Sequence, residues 1–319
     1  DLRLIQDMQY CLKEKKSSIL MYPEASYSFD GTCTPLPRKM GVLLKKLDVP
    51  VVMIETFGAF SRNPLYNELQ VRKGVPVSAK VRCLYTREEI KEKTVKELSD
   101  GLDKAFGFDH FKWQKEQGIE IHENFRADGL SRILYKCAHC GTEGKMAGKG
   151  TTLRCDHCGK EYELTPLGEL KALEGETEFD HIPDWFDWER QQVSAQIDRG
   201  EYSFEDEVEV YGFPRCWRFI PLGKGKVTHD IDNGWTLEGE YRGEQYRIHR
   251  MPTQQFALHV EYDYCYIKPE DCFDLSNETD SFYCYPTKKN VITKLAFATD
   301  ELHRIKMAET KSGVAAAKK

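Results

Sequence analysis

The sequence has no apolar run near the roughly 20 residues that a membrane-spanning helix needs. It has no basic excess either: 46 Lys and Arg stand against 52 Asp and Glu, which leaves a formal net charge of −6. A general polyanion binder is therefore disfavoured, although a local basic face stays open. We find no internal repeat and no basic-then-apolar leader, so we expect a cytoplasmic protein rather than a solenoid or an exported one.

Cysteine, by contrast, is plentiful, with 11 residues in a chain of 319. Four of them have metal-ligand spacing, and the others are scattered. This usage fits a reducing compartment better than a disulfide framework. The sequence predicts that the scattered cysteines are buried free thiols rather than functional groups. They are Cys11, Cys33, Cys83, Cys216, Cys265, Cys272 and Cys284.

The four spaced cysteines form two hooks, Cys137-Ala-His-Cys140 and Cys155-Asp-His-Cys158. Paired Cys-x-x-Cys hooks at this separation can close a tetrahedral all-thiolate zinc site, the zinc-ribbon arrangement. Gly141 and Gly159 follow the hooks, where glycine lets the backbone turn with positive φ so that amides point at the thiolates. The sequence therefore predicts a zinc ribbon over 132–164. Its ligands for a structural Zn²⁺ are Cys137, Cys140, Cys155 and Cys158.

Charge within the predicted ribbon is close to zero once one zinc and four thiolates are counted with its Lys, Arg, Asp and Glu residues. A module that tracks a nucleic-acid backbone should be clearly positive, so we expect no nucleic-acid partner. His139 and His157 lie inside the hooks. They are predicted to be exposed rather than ligands, because four thiolates already fill a tetrahedral shell.

Residues 1–131 alternate between helical and strand patterns. Predicted buried strands at 18–22 and 49–54 flank a helix. Two capping boxes of the Thr-x-x-Glu type, at 86–89 and 94–97, introduce two further helices. This rhythm is typical of an α/β layer with short crossovers.

Behind the predicted ribbon, a helical linker over 165–202 precedes a β-rich α+β domain over 203–306. Period-two alternation predicts strands around Trp235 and over 256–266, and a closing helix ends this domain. Residues 307–319 are small and polar, so we expect a flexible tail.

Trp185, Phe186 and Trp188 make the predicted linker helix strongly aromatic. Trp185 and Trp188 share one side of it, because residues three apart lie on the same helix face. A docking face or a membrane-interface belt is one interpretation. Packing onto a neighbouring domain is the other, and it is the one we favour.

Tyr22-Pro-Glu24 lies where the first predicted strand meets a loop. Ligands of open α/β sheets bind at the carboxyl ends of strands, so Glu24 is either a carboxylate delivered to a crevice or an ordinary turn residue. Spacing alone supports the two interpretations equally. Ser26 and Ser28 lie in the same loop, where the alternative to substrate binding is turn chemistry.

Tyr22-Pro-Glu24, followed by Ser28 and Gly31, resembles the Phe-Pro-Glu-Gly-Thr-Arg-Ser motif of the 1-acylglycerol-3-phosphate acyltransferase family. The stretch from Lys39-Met-Gly41 to Gly58, which contains Val-Pro-Val-Val-Met-Ile, is similar to a second motif of that family. The likeness covers residues 1–85. The layout, with a ribbon and a β-rich region behind it, resembles a bacterial subgroup. It implies that 1–131 is part of an acyltransferase domain.

Two features of the family pattern are missing. In that family a His-x-x-x-x-Asp motif, which lies before the Pro-Glu motif, supplies the general base. None of the nine histidines here has Asp five residues later, so we assign no catalytic residue and expect an N-terminally truncated, inactive chain. The family's phosphate-binding arginine is also absent, because Ala25-Ser26-Tyr27 occupies its place. Arg38 and Lys39 are candidates to compensate, and a solvated helix start is the alternative for both.

The resemblance implies an acyltransferase that moves an acyl group from acyl-CoA or acyl-carrier protein to a hydroxyl acceptor, in phospholipid or lipid biosynthesis. Peripheral contact with a membrane is left open. The alternative is a non-enzymatic zinc-ribbon scaffold that binds protein partners. The candidate substrate-binding residues are Glu24, Ser26, Ser28, Arg38 and Lys39.

Overall fold

The structure is a computed structural model that describes residues 2–24, 27–37, 39–277 and 279–316, with side chains as far as Thr310. The chain divides into two compact units. Unit 1 comprises Asp1–Pro64 and Arg72–Glu120, and unit 2 comprises Leu65–Val71 and Ile121–Lys319. Both contain helices and strands, which confirms the mixed class. Across the residues described, no helix combines the length and the apolarity needed to cross a bilayer.

Unit 1 is mainly helical, with one antiparallel pair of strands. Its elements are α1 (Leu2–Lys13), α2 (Met40–Leu47), β1 (Val51–Phe57), α3 (Ala59–Arg62), β2 (Ser78–Tyr85), α4 (Arg87–Glu92), α5 (Val95–Phe106) and α6 (His110–Glu116). Helices α2 and α5 approach closely, because a Cβ on Gly41 would lie only 2.3 Å from the carbonyl oxygen of Val95. The core beside them is small: Leu44, Tyr85, Ile90, Leu98 and Leu102.

Both predicted capping boxes are confirmed in unit 1. The N–H of Glu89 donates to Thr86 Oγ1 (3.2 Å), and the N–H of Thr86 donates back to Glu89 Oε2 (2.8 Å). Thr94 and Glu97 repeat this exchange at 3.2 and 2.7 Å. These reciprocal bonds satisfy N–H groups that the first turns of α4 and α5 leave without helical partners.

The predicted buried strand at 18–22 is wrong. The segment has no regular secondary structure, and the side chains of Leu20 and Tyr22 are exposed. Apolar composition alone does not make a strand when no neighbouring strand offers backbone partners. The predicted α/β layer is also wrong for the described residues, because β1 pairs with β2 antiparallel and the expected parallel crossover is not formed.

One face of the β1–β2 pair is apolar and open. Ile54 lies opposite Val81, and Val52 lies opposite Cys83. All four side chains are exposed, whereas the other face carries the Arg82–Glu55 ion pair. Residues 49–54 do lie largely in a strand, as predicted, but half of it is exposed instead of buried. We call Val52, Ile54, Val81 and Cys83 the open sheet face.

Unit 2 contains two antiparallel sheets and two long helices. The strand order is β3-β4-β5-β6 in the smaller sheet and β10-β9-β8-β7-β13-β12-β11 in the larger. The elements are β3 (Met146–Lys149), β4 (Thr152–Cys155), β5 (Glu161–Leu164), β6 (Leu170–Ala172), α7 (Ile182–Asp198), β7 (Ser203–Pro214), β8 (Ile220–Asp230), β9 (Gly234–Tyr241), β10 (Glu244–Arg250), β11 (His259–Glu261), β12 (Cys272–Ser276), β13 (Asp280–Pro286) and α8 (Ile292–Ala316).

Helix α8 covers the inner face of the larger sheet. Trp235 is buried on β9 and its Nε1 donates to Thr299 Oγ1 at 3.0 Å. Phe297 reaches the other way and meets Phe186 of α7, with ring centroids 4.7 Å apart. The inner face itself is built from alternate strand residues that are buried and apolar: Val208, Val210, Val227, Leu237, Phe273 and Leu275.

Several expectations for unit 2 need correction. Of the residues predicted to form a strand over 256–266, only His259–Glu261 does so. Tyr264 lies beyond this strand, and its ring stacks on that of Tyr283, with centroids 5.2 Å apart. The segment predicted as a linker contributes β6 to the smaller sheet, and α8 extends to Ala316 through most of the expected tail. The cysteines outside the hooks are free, but only Cys272 and Cys284 among them are buried.

Candidate metal centre and the Glu24 loop

Each cysteine pair lies in a tight backbone hook. In the first, the N–H of Gly141 donates to Cys137 O at 2.9 Å, and in the second, the N–H of Gly159 donates to Cys155 O at 2.8 Å. Gly141 and Gly159 have φ of +74° and +78°. These left-handed values suit glycine, as the sequence predicts, because a Cβ would be strained there.

The four cysteine sulfurs lie close together in one cluster. All ligand atoms lie within 4.8 Å of one another, and the Sγ atoms of Cys137 and Cys158, like those of Cys140 and Cys155, are 3.8 Å apart. A disulfide is excluded, because its S–S bond measures about 2.05 Å. Four thiolates around zinc, with Zn–S near 2.3 Å, form a tetrahedron whose edges are about 3.8 Å. The group therefore fits a closed tetrahedral metal ion.

Backbone amides face two of the four cysteine sulfurs. The N–H groups of His139 and Cys140 donate to the sulfur of Cys137, and the N–H of Lys160 donates to that of Cys158. Burial is the largest effect and raises the pKa of both thiols above the ordinary value, and these amides act in the opposite direction because they favour the thiolate. Because all four positions of the tetrahedron are taken by protein sulfur, the site has no open position for a substrate.

Helix α7 makes two hydrogen bonds to Lys136, the residue before the first hook. Its backbone N–H donates to Glu189 Oε1 at 2.7 Å, and its carbonyl accepts from Trp185 Nε1 at 3.0 Å. The Trp185 ring meets Tyr162 of β5 edge-on at 5.1 Å, and Lys136 Nζ lies 5.8 Å from the Trp188 ring centre. The packing interpretation of Trp185 and Trp188 is thereby confirmed.

Burial raises the pKa of the Glu189 carboxyl well above its ordinary value. This side chain is fully buried, so a charge there would lack water. A neutral carboxyl still accepts the Lys136 amide. Spacing alone does not indicate this role, since an acid in the middle of a helix is usually solvated.

The two histidines inside the hooks stay outside the sulfur shell, as predicted. His139 Nδ1 lies 2.8 Å from Glu178 Oε1, and His157 Nδ1 lies 3.2 Å from Thr142 Oγ1. Both rings are exposed. Glu178 also accepts from the hydroxyl of Tyr162 at 2.5 Å. Its carboxylate therefore connects His139 of the first hook to strand β5.

Glu24 is half-buried and bonded within its own loop. Its Oε2 accepts from the N–H (2.9 Å) and the Oγ1 (3.3 Å) of Thr34. Neighbouring Cys33 has a thiol pKa of about 12, raised by burial and then by the charge of Glu24. A thiol that stays protonated at neutral pH is a poor nucleophile. Sequence reasoning missed Thr34 because its partner lies ten residues away.

Of the other predicted substrate residues, the structure describes Ser28 and Lys39. Ser28 has a buried Oγ without a hydrogen-bond partner among the described residues. Lys39 is exposed, and its carbonyl accepts the Leu43 N–H of α2. Ser26 and Arg38 lie outside the described residues, so both stay sequence predictions.

His110 is the histidine of unit 1, and it lies beside the end of the Glu24 loop. Its backbone N–H donates to Gly31 O at 2.9 Å. The ring packs between Phe60 (5.3 Å) and Phe108 (4.7 Å), and burial lowers the pKa of its imidazole to about 4. His110 is therefore neutral at pH 7. It was not singled out from the sequence, because the search for a base followed the His-x-x-x-x-Asp pattern.

Compared with known proteins, the chain matches no family model, no curated protein and no solved structure. Its function is therefore inferred from the four-cysteine centre, the Glu24 loop and the surfaces of the two units.

Proposed function

We propose that the four cysteines bind one Zn²⁺ and that this ion is a structural staple of unit 2. The observation that carries the proposal is the pair of 3.8 Å Sγ–Sγ distances, which equal the edge of a zinc–thiolate tetrahedron. Iron is the other metal that a four-sulfur tetrahedron selects. Metal analysis of protein purified without added metal separates the two, and the expected result is one zinc per chain.

For the protein's activity we propose acyl transfer from an acyl thioester to a hydroxyl acceptor. The oxygen of the acceptor attacks the thioester carbonyl, a C–O bond replaces the C–S bond, and the acceptor proton passes to a base. The support is the order of the two family-like motifs, together with the placement of Glu24 in a loop whose end meets His110. The zinc takes no part, because its coordination shell is closed.

Glu24 is proposed to bind the acceptor alcohol, and its contact with Thr34 provides the test. In Glu24→Gln the amide oxygen can still accept from Thr34, so the loop is kept while the charge is lost. In Glu24→Ala both are lost. Transfer of a labelled acyl chain from acyl-CoA to 1-acylglycerol-3-phosphate and to a phosphate-free alcohol is measured in the full-length protein.

A substrate role predicts that both variants lose transfer by 100-fold or more, with the melting temperature of Glu24→Gln unchanged. A turn role predicts that only Glu24→Ala is impaired. Thr34→Val is the matched control, because it removes the weaker bond and leaves the Glu24 charge. If Glu24→Gln transfers the acyl group at the wild-type rate, Glu24 does not bind the acceptor.

A second function, a zinc-ribbon scaffold that binds protein partners, is favoured by a different observation. The open sheet face exposes Val52, Ile54 and Val81 on neighbouring strands, and contiguous apolar surface of this kind marks interaction sites. If the full-length protein transfers no acyl group to either acceptor, from acyl-CoA or acyl-carrier protein, the scaffold is the better account.

A further inference from the structure

The larger sheet of unit 2 has two ends with different chemistry. Strands β7 to β10 follow one another antiparallel, in the order β10-β9-β8-β7. Because each strand reverses direction, the β7–β8 and β9–β10 turns emerge at the same end, and the β8–β9 turn emerges at the opposite end. The register agrees, with Lys226 opposite Glu238 near the middle of the sheet.

At the first end, both turns present an arginine on an aromatic ring. The β7–β8 turn carries Trp217, whose side chain is 74% exposed, and the Arg218 guanidinium lies 4.7 Å from its ring centre. In the β9–β10 turn, the Arg242 guanidinium lies 5.1 Å from the ring centre of Tyr241. Arg215, which is also exposed, lies two residues before Trp217 in the same turn. We call Arg215, Trp217, Arg218, Tyr241 and Arg242 the basic sheet end.

The charge at this end runs against that of the whole chain. Residues 212–223, which form the Trp217 turn and the strand ends that lead to it, contain Arg215 and Arg218 and no Asp or Glu, in a protein with a net charge of −6. Among the described residues, Arg215, Arg218 and Arg242 have no carboxylate within 4 Å. The β8–β9 turn at the opposite end carries Asp230 and Asp232 instead.

The Trp217 turn is held in place by hydrogen bonding and ring stacking. Arg215 and Cys216 adopt left-handed φ values of +48° and +55°, which are uncommon for residues other than glycine. The N–H of Arg215 donates to Thr279 O at 3.0 Å, and Phe213 stacks on Phe219 at 4.4 Å just below the turn. Uncommon backbone conformations of this kind cluster at functional sites. In this turn they accompany the exposed indole of Trp217.

We propose that the basic sheet end rests on an anionic lipid surface. Indole and phenol rings favour the water–lipid boundary, since one end of each ring is apolar and the other polar. Unpaired arginines are drawn to anionic headgroups. Strand β8 continues from Gly225 to Ile220 beyond its last pair with β9, so the Trp217 turn projects further than the β9–β10 turn and would meet a flat surface first. This inference uses no part of the acyl-transfer proposal.

Among the described residues, two acidic side chains flank the strand ends that lead into these turns. Glu244 pairs with Tyr241 at the start of β10, and Asp280 pairs with Pro214 at the start of β13. An anionic surface that touches the Trp217 turn therefore meets Arg218 before it reaches Asp280, which is level with Pro214 at the end of β7. The remaining negative charge of the chain is expected to limit binding to this one orientation.

The test is co-sedimentation of the full chain with vesicles of phosphatidylcholine alone or with 40% phosphatidylglycerol, at low and high salt. We expect binding only to the anionic vesicles, and its loss in 0.5 M salt. Trp217→Ala should lower the partition coefficient about tenfold. Arg215→Asn combined with Arg218→Gln should lower it about 25-fold, at about fivefold per arginine. Asparagine is chosen at 215 because it tolerates positive φ.

Two matched controls separate this surface from general attraction. Asp232→Asn makes the opposite end less acidic, so nonspecific charge attraction predicts stronger binding, whereas the basic sheet end predicts no change. Phe256→Ala removes another exposed ring of unit 2 and should also have no effect. Bromine-labelled lipids should quench the part of the emission that Trp217→Ala removes, because the other four tryptophans are buried (Trp185, Trp235) or half-buried (Trp113, Trp188).

Three results overturn the proposal. They are absence of binding to anionic vesicles, equal binding to both vesicle types, and binding that the Trp217 and arginine variants leave unchanged. Salt-sensitive binding of the same end to single-stranded DNA or to an acidic protein, with no vesicle binding, also overturns it and identifies a partner of another class.

Discussion

Units 1 and 2 are stabilised in different ways. Unit 2 buries large side chains on helices and strands far apart in sequence, such as Trp185 against the first hook and Trp235 against α8. Unit 1 buries a small cluster around Leu98 and leaves the open sheet face in solvent. The difference teaches that the four-cysteine group lies in the unit whose core joins elements far apart in sequence. In unit 1, local features such as the two capping boxes contribute a larger share of what stabilises the helices.

The largest expected effect comes from removing a buried metal ligand. Cys155→Ser should abolish metal binding and unfold the ribbon, because structural zinc sites contribute about 10–16 kcal/mol at pH 7, comparable to the whole stability of a domain. Calorimetry of the full chain should lose the transition of unit 2 and keep that of unit 1. Cys216→Ser, which changes an exposed thiol outside the site, is the control. Equal loss of both transitions would show that the units do not differ in this way.

Trp185→Ala should be the next most damaging change. It removes a fully buried ring and leaves the Lys136 carbonyl without its donor, at a cost of about 3–5 kcal/mol. Urea unfolding followed by far-UV circular dichroism measures this cost. Trp188→Ala, which empties a half-buried position on the same helix face, should cost clearly less. Equal costs would mean that α7 is not anchored through Trp185.

A pH dependence of unit 2 is expected from His229. Burial lowers the pKa of this imidazole to about 3, below the value of about 6.5 in an unfolded chain. As the pH falls from 6.5 towards 3, the unfolded chain takes up the proton first, so stability is lost in that window. Between pH 7 and pH 5 the loss should be about 2 kcal/mol.

His229→Phe isolates this contribution, because it keeps a ring that can stack on Trp235. The variant should show a shallower fall in unfolding free energy between pH 7 and pH 5, while the metal thiolates, common to both proteins, cancel in the difference. His110→Phe in unit 1 should leave the slope of unit 2 as it is. Parallel slopes in wild type and His229→Phe would rule out His229 as the source.

The smallest expected effect is at the open sheet face. Val81→Thr keeps a β-branched residue on an exposed strand, so the unfolding free energy of unit 1 should change by less than about 0.5 kcal/mol. The same measurement on Ile90→Val, a buried position in unit 1, should show a cost of about 1 kcal/mol. If Val81→Thr is the more damaging variant, the face is covered in solution.

Short-range signals predicted structure well. The hooks, with Gly141 and Gly159, and the boxes at Thr86 and Thr94 depend on residues within a few positions, and each formed as expected. What failed depends on partners distant in sequence. The 18–22 run found no strand to pair with, and the alternation through Tyr264 was interrupted because that ring packs on Tyr283.

The candidate site divides in the same way. Spacing identified all four cysteines that come together, since a metal site imposes its geometry on a short stretch of sequence. It gave no hint of Glu189 and Trp185 as the supports of Lys136, because α7 lies about 50 residues further along the chain. Nor did it indicate that Thr34 would hold Glu24, or that the two arginine-bearing turns of the larger sheet would emerge at one end.

The central claim is that four thiolates bind a metal that unit 2 needs in order to fold. Native mass spectrometry of the full chain, with X-ray absorption at the zinc edge, tests it most directly. The account predicts one zinc per chain, four sulfur neighbours near 2.3 Å, and loss of folded unit 2 when a strong chelator removes the ion. A metal-free chain that keeps its fold, or zinc with nitrogen or oxygen neighbours, would contradict it.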